Sequence, residues 1–215
     1  VVDWWLPSLV NLTKVGTGAK KIISSSGMAY SGDGVSSYFT KSVSPNVNLD
    51  AGITLIAAIC GTATTTGIGG LTYSNNANNS PAITISCQNL TTKIVQVFAR
   101  PDNNSGYNTQ LPSSVPVFDG LPHVVVLRAS KNGYSLYVDG VFQAQTAIAM
   151  TGAWTLNTFS IGAFVRTAVG NYSDAPINCS ILLNRSISDV EAVSLKDPVD
   201  VWSIFAPPIT IPFIS

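Results

Sequence analysis

Apolar and polar residues alternate with a period of two along most of this chain, so it reads as strands rather than helices. In Ile83-Thr84-Ile85-Ser86-Cys87, both isoleucines and the cysteine fall on one face and the hydroxyls on the other. The same pattern predicts strands over residues 35–41, 54–60, 67–73, 82–88, 93–100, 123–129, 134–138, 141–145, 158–162 and 177–183. Turn-forming clusters separate them at Ser44-Pro45-Asn46, residues 75–79 and 101–106, Asn132-Gly133 and Asp139-Gly140. Asp139-Gly140 is the sharpest of these, because a two-residue type I′ turn needs positive φ at both central positions and Asp-Gly tolerates it. Many short strands with Gly, Asn and Pro between them predict an all-β fold of two packed antiparallel sheets with jelly-roll connections.

One segment breaks the period. Ser188-Asp189-Val190-Glu191 is a capping box, in which Ser188 accepts from the Glu191 amide and the Glu191 carboxylate reaches back to the amide of Ser188. Pro198 is expected to stop the helix. Ile187, Val190, Val193 and Leu195 offer an apolar stripe that would lay it as a short lid on the sandwich edge.

With 215 residues the chain is long enough for a substantial core, and sandwiches of this length are commonly one domain. Charged side chains make up 10% of it, against about 25% in an average soluble protein. Eleven basic and eleven acidic groups cancel, leaving no electrostatic footprint for nucleic acid or for an anionic membrane. So little charge suits a surface covered by neighbours in an assembly, and a surface solvated by Asn, Ser and Thr accounts for the same composition. The longest apolar run, residues 53–60, is far shorter than the roughly 18 residues of a membrane-spanning helix, so no membrane insertion is expected. Cys60, Cys87 and Cys179 read as small buried hydrophobes, with Cys179 sharing a face with Ile177, Ile181 and Leu183. An odd, scattered count argues against a disulfide framework and fits folding in a reducing cytoplasm.

Three motifs in order carry a resemblance. Asp119-Gly120-Leu121-Pro122-His123-Val124 followed by Leu136-Tyr137-Val138-Asp139-Gly140 is similar to a "DGxWHHV…LYVDG" hairpin. Gly27-Met28-Ala29-Tyr30-Ser31-Gly32-Asp33-Gly34 with Tyr38 resembles an early strand, and Ile177–Glu191 resembles a last strand and short helix. Together they resemble the laminin-G-like domains of the concanavalin A-like lectin/glucanase superfamily. Pro122 stands where that family has Trp, and Asn178 and Cys179 replace its usual acidic pair. The resemblance implies a concanavalin A-like jelly-roll sandwich of two antiparallel sheets with one short helix near the C-terminus. It also raises Ca²⁺ as the one cofactor to consider, with Asp33, Asp102 beside Asn103 and Asn104, and Asp174 after Asn171 as loop ligands.

The residues themselves argue against catalysis. Retaining glucanases of the superfamily place two carboxylates on one strand, about 5–5.5 Å apart, whereas this chain has a single glutamate, Glu191, which the capping box occupies. His123 is the one histidine and sits at a strand start, where a satisfied structural ring is expected. No glycine-rich phosphate loop precedes a helix, and no Cys/His cluster has zinc-ligand spacing. For binding, Tyr107 beside Asn104 and Asn108, and Tyr172 beside Asn171, combine stacking faces with amides on loops, the chemistry that holds sugars.

The ends point to a partner. Asp197-Pro198-Val199-Asp200-Val201-Trp202-Ser203-Ile204-Phe205-Ala206-Pro207-Pro208 resembles the "N-P-W-x-L-F-x-P" ending of laminin-G-like proteins of tailed bacteriophages. Residues 199–215 are expected to form an extended apolar arm beyond a sandwich of residues 1–198, either docked on a partner or folded back over its own sheet. Trp202, Phe205, Ile211, Phe213 and Ile214 at this end, with Trp4 and Trp5 in a similar apolar patch at the other, are the candidate docking side chains. The expected function is a non-enzymatic virion structural protein, a head decoration or tail-associated component. It would be made in the host cytoplasm and partnered by other virion proteins, further copies of itself or a host-surface glycan. The alternative is a carbohydrate-binding lectin domain, viral or secreted to the extracellular side.

Overall fold

Residues 53–60 are buried without alternation, a pattern that a sheet with one wet face does not produce. Ile53, Leu55, Ala57 and Ile59 enter one apolar core, while Ile56 and Ala58 enter a second. In the computed structural model this strand therefore has a second sheet on one side and a thin helical layer on the other. The structure describes residues 4–5, 12–24, 27–44, 47, 50–101, 109–147 and 154–205.

In chain order the strands are Trp4–Trp5 (β1), Thr13–Val15 (β2), Lys20–Ser24 (β3), Gly27–Ser31 (β4), Tyr38–Ser42 (β5), Ile53–Thr62 (β6), Gly67–Ser74 (β7), Ala82–Asn89 (β8), Ile94–Arg100 (β9), Leu111–Pro116 (β10), Asp119–Ser130 (β11), Gly133–Val138 (β12), Val141–Thr146 (β13), Thr158–Ile161 (β14) and Cys179–Leu183 (β15). Two helices follow, Asp189–Ser194 (α1) and Pro198–Phe205 (α2). One sheet runs β1-β15-β6-β11-β12-β13, the other β10-β9-β8-β7-β14-β5-β2, and β3 pairs with β4 in a separate ribbon. The pairings between neighbouring strands are antiparallel. The expected all-β jelly-roll sandwich is the observed architecture.

Between the sheets lies a core built on Tyr73, Phe39, Phe118 and Phe159, all fully buried. Tyr73 and Phe159 meet with ring centroids 4.9 Å apart, and Tyr30 stands edge-on to Phe39 at 5.1 Å. Cys87 joins this core beside Ile83 and Ile85. The β12–β13 turn has Asp139 at φ 51° and Gly140 at φ 73°, the left-handed pair the sequence called for. At the open edge, Gln143 of β13 accepts from the amide (2.9 Å) and hydroxyl (2.7 Å) of Ser114 in β10, tying the two sheets together.

The outer layer differs from expectation in three ways. First, α1 keeps its capping box, with Glu191 N–H donating to Ser188 Oγ at 3.2 Å and Ser188 N–H to Glu191 Oε2 at 2.8 Å. Its buried residues, however, are Ile187, Ala192 and Leu195, whereas Val190 is 81% and Val193 46% exposed. Ile187 just before the cap, Ala192 in the first turn and Leu195 join one buried cluster, and a helix this short turns no further face inward. Second, Pro198 begins a helix instead of only ending one. Asp197 Oδ1 accepts from the amides of Val199 (2.7 Å) and Asp200 (3.1 Å), and Asp200 Oδ2 accepts from those of Lys196 (2.9 Å) and Asp197 (3.0 Å). Proline fits the first helical turn because its missing N–H has no partner there. Residues 199–205 are thus helical and not part of an extended arm, and Val201 is fully buried against the outer face of the sheet. Third, Ile177 leaves the strand it was expected to share with Cys179. It pairs instead with Tyr30 and faces the inner core, while Cys179, Ile181 and Leu183 face the helices.

Candidate functional site

Loop residues far apart in sequence meet at one end of the sandwich. Asp33 sits in the β4–β5 loop, Thr64 and Thr65 in the β6–β7 loop, and Asn171, Tyr172 and Asp174 between β14 and β15. Asp33 Oδ1 accepts from the amides of Val35 (2.9 Å), Ser36 (2.8 Å) and Ser37 (2.7 Å), an Asx-type turn that closes its own loop. Desolvation disfavours its charge, but the amides of Ser36, Ser37 and Val35 outweigh that and hold the carboxyl well below the usual carboxylate range.

Asp174 performs the same task between loops. Its carboxylate accepts from the Thr64 amide (2.9 and 3.0 Å to its two oxygens), the Thr65 amide (2.9 Å), Thr65 Oγ1 (2.9 Å) and Thr64 Oγ1. Its own carbonyl accepts from Ser31 Oγ at 2.7 Å. The approach is close enough to require glycine: a Cβ on Gly32 would stand 2.7 Å from Cα of Gly162.

Calcium does not fit this arrangement. A hard cation needs six to eight oxygens, including carboxylate oxygens, and here the Asp33 carboxylate is committed to amides of its own loop and the Asp174 carboxylate to amides and hydroxyls of the β6–β7 loop. Among the described residues no three His, Cys, Asp or Glu side chains gather around one point. The third candidate, Asp102, lies outside the described residues.

Of the sugar-binding candidates, Asn171 adopts φ 51° and its carbonyl accepts from Gly69 N–H at 2.9 Å, leaving its side chain at the surface. Tyr172 is half-buried. Its ring lies 6.3 Å from that of Tyr38 and packs on Tyr38, Ala163 and Val165, so it anchors the loop as much as it offers a face to solvent. Asn104, Tyr107 and Asn108 lie outside the described residues. Of the candidate docking residues, Trp4 and Trp5 form β1, paired with Leu183 and Leu182, and Trp202 and Phe205 belong to α2. Ile211, Phe213 and Ile214 lie outside the described residues.

His123 is a structural ring. Nδ1 lies 2.7 Å from Asp139 Oδ2 and Nε2 lies 3.1 Å from Asp119 Oδ1, while Asp139 Oδ1 accepts from Val124 N–H at 2.8 Å. The Asp139 hydrogen bond raises the imidazole pKa and outweighs the opposing effect of burial. Glu191 is equally committed, to a two-pronged Arg185 contact (2.6 and 3.0 Å) and to Ser188. Arg185 leads in pulling its carboxyl down to about 2.

No protein-family model matches the chain, and no curated protein matches it either. Solved structures do. Domain 4 of AbnA, an extracellular arabinanase of Geobacillus stearothermophilus, in complex with arabinotriose, aligns over 86% of this chain and 88% of that one, at 11% identity and TM-score 0.59. The shared fold is a jelly-roll β-sandwich. The CBM40 of the Ruminococcus gnavus IT-sialidase, bound to α2,3-sialyllactose, aligns with this sandwich over 86% of the chain and 98% of its own length, at 14% identity and TM-score 0.55. A native heptameric SAP-like pentraxin of Limulus polyphemus aligns over 69% and 70%, at 11% identity and TM-score 0.54. The sandwich spans 30% to 31% of the Trypanosoma rangeli sialidase chains that it also resembles.

Proposed function

We propose that this chain is a non-catalytic carbohydrate-binding module. The observation that carries the reading is the near full-length likeness to two domains whose structures hold oligosaccharides, arabinotriose in one and α2,3-sialyllactose in the other. The commitments of this chain's own residues agree with it. Its lone glutamate is tied up by Arg185 and Ser188, and its lone histidine is held between Asp119 and Asp139, so neither is poised for acid–base work on a glycosidic bond. An oligosaccharide array probed with the whole chain, once with Ca²⁺ and once with EDTA, tests the reading. Binding to at least one oligosaccharide, unchanged by EDTA, is the expected result, and an array at background in both conditions removes it.

A second reading rests on a separate observation, the resemblance of residues 197–208 to the ending of phage laminin-G-like proteins. It puts the module on a virion, with other virion proteins as partners at the apolar chain ends. Fractionating particles from the producing culture on a density gradient tests it: a fixed ratio of this chain to the shell protein supports it, and absence from particles removes it.

A further inference from the structure

A shallow cleft of about 150 Å³ opens on the outer face of the six-stranded sheet, away from the loop end. Strand register builds its floor: Arg128 of β11 pairs with Ser135 of β12, which pairs with Gln145 of β13. Ser130 and Asn132 of the β11–β12 turn form one wall, and Ser186, just before α1, forms the other.

The cleft is polar but carries no free charge. The Arg128 guanidinium donates to Ser135 Oγ (3.2 Å), the Ile187 carbonyl (2.9 Å) and Tyr137 OH (3.0 Å), lies 2.6 Å from the Asp189 carboxylate, and covers the Tyr137 ring at 4.8 Å. With its charge matched and its plane fixed, it is a rigid floor and not an anion receptor. Lys131, on the turn above, is paired with Asp50 at 3.2 Å. What remains for a ligand is neutral. The side-chain amides of Asn132 and Gln145 are exposed and make no hydrogen bond among the described residues. The hydroxyls of Ser135 and Ser130 accept from Arg128 Nε and Asn132 N–H, respectively, so each keeps its own proton to donate.

We infer that this cleft binds a neutral sugar residue, with Asn132, Ser135 and Gln145 hydrogen-bonding its hydroxyls. The inference deepens the carbohydrate-binding reading and rests on it. Each amide offers both donor and acceptor, as each sugar hydroxyl does, and no uncompensated cation is present to select a carboxylated sugar. Drug-sized ligands fill pockets of about 300–1,000 Å³; a cleft half the lower bound takes one terminal residue and leaves the rest of the glycan in solvent.

The test is a panel of neutral and sialylated oligosaccharides titrated against the whole chain and two variants, Asn132→Ala/Gln145→Ala in the cleft and Asn171→Ala at the loop end. Thermal midpoints of the variants are measured alongside, since all three side chains are exposed and their removal should leave folding intact. The expected result is binding of neutral ligands, weakened at least about tenfold by the double substitution and unchanged by Asn171→Ala. Neutral-ligand binding that survives the double substitution overturns the cleft and leaves the carbohydrate-binding reading standing. Selective binding of sialylated ligands overturns the neutral-sugar assignment, and binding of nothing on the panel overturns both.

Discussion

Asp174→Ala separates a loop lock from a metal ligand at the end of the sandwich. In the structure the carboxylate takes the amides of both Thr64 and Thr65 and both threonine hydroxyls. Hydrogen bonds to a charged acceptor contribute about 1.5–3 kcal/mol each when shielded and much less when water can replace the partner. Thr64 is exposed and rehydrates on substitution, whereas Thr65 is half-buried, so the net loss is about 2–3 kcal/mol. For a domain of this size each kcal/mol moves Tm by about 2–4 °C, which predicts a fall of about 4–12 °C by scanning calorimetry. EDTA should leave both wild type and variant where they are. A variant within about 1 °C of wild type would refute the lock. A wild type that loses several degrees in EDTA, matched by a variant that loses none, would show that Asp174 holds a cation instead.

Val201→Ala removes two buried methyl groups between α2 and the sheet and should cost about 2 kcal/mol in denaturant unfolding; an extended arm at 199–205 would leave stability unchanged. His123 has its folded-state pKa raised above the ordinary value of about 6.5. Its contribution is therefore fully present below about pH 6.5 and lost as pH rises through the folded-state value, so wild type should exceed His123→Gln in Tm by more at pH 5.5 than at pH 8.5. Burial pushes the Cys87 thiol up to about 11 and that of Cys179 to about 12, and Cys60 is buried with them. Ellman's reagent should thus label all three only after denaturation, and rapid labelling of the native protein would contradict this packing.

Where local chemistry decides the outcome, the sequence was readable. Alternation located strands such as β8, Asp139-Gly140 located the hairpin, and Ser188 with Glu191 located the α1 cap. Edge strands were harder. The two residues of β1 and three of β2 are too short to show a period, and β10 contains Pro112 and Pro116, which an edge strand tolerates because it has only one paired side. Pro198 has two opposite meanings, stop and first turn, and the choice depends on Asp197 and Asp200 capping each other. Asp33 and Asp174 stood out in the sequence as loop carboxylates, but the hold of Asp174 on Thr64 and Thr65 is a contact that no local pattern encodes; the close-packed glycines, Gly32 and Gly162 among them, are a further trace of the loop end. The floor of the cleft was not legible from the Asp139-Gly140 turn, which alone would set Gln145 opposite Tyr134; a register shift between Leu136 and Tyr137 brings it opposite Ser135. Nor was the neutralisation of Arg128 by Asp189, because it arises only when α1 docks.

The most direct test of a carbohydrate-binding, non-cleaving module is a calorimetric titration of the full chain with the strongest neutral oligosaccharide from an array, followed by analysis of the recovered sugar. The account predicts a saturable isotherm with one site per chain and a ligand recovered intact. An isotherm that never saturates would contradict the binding half of that account, and a cleaved oligosaccharide would contradict the other half.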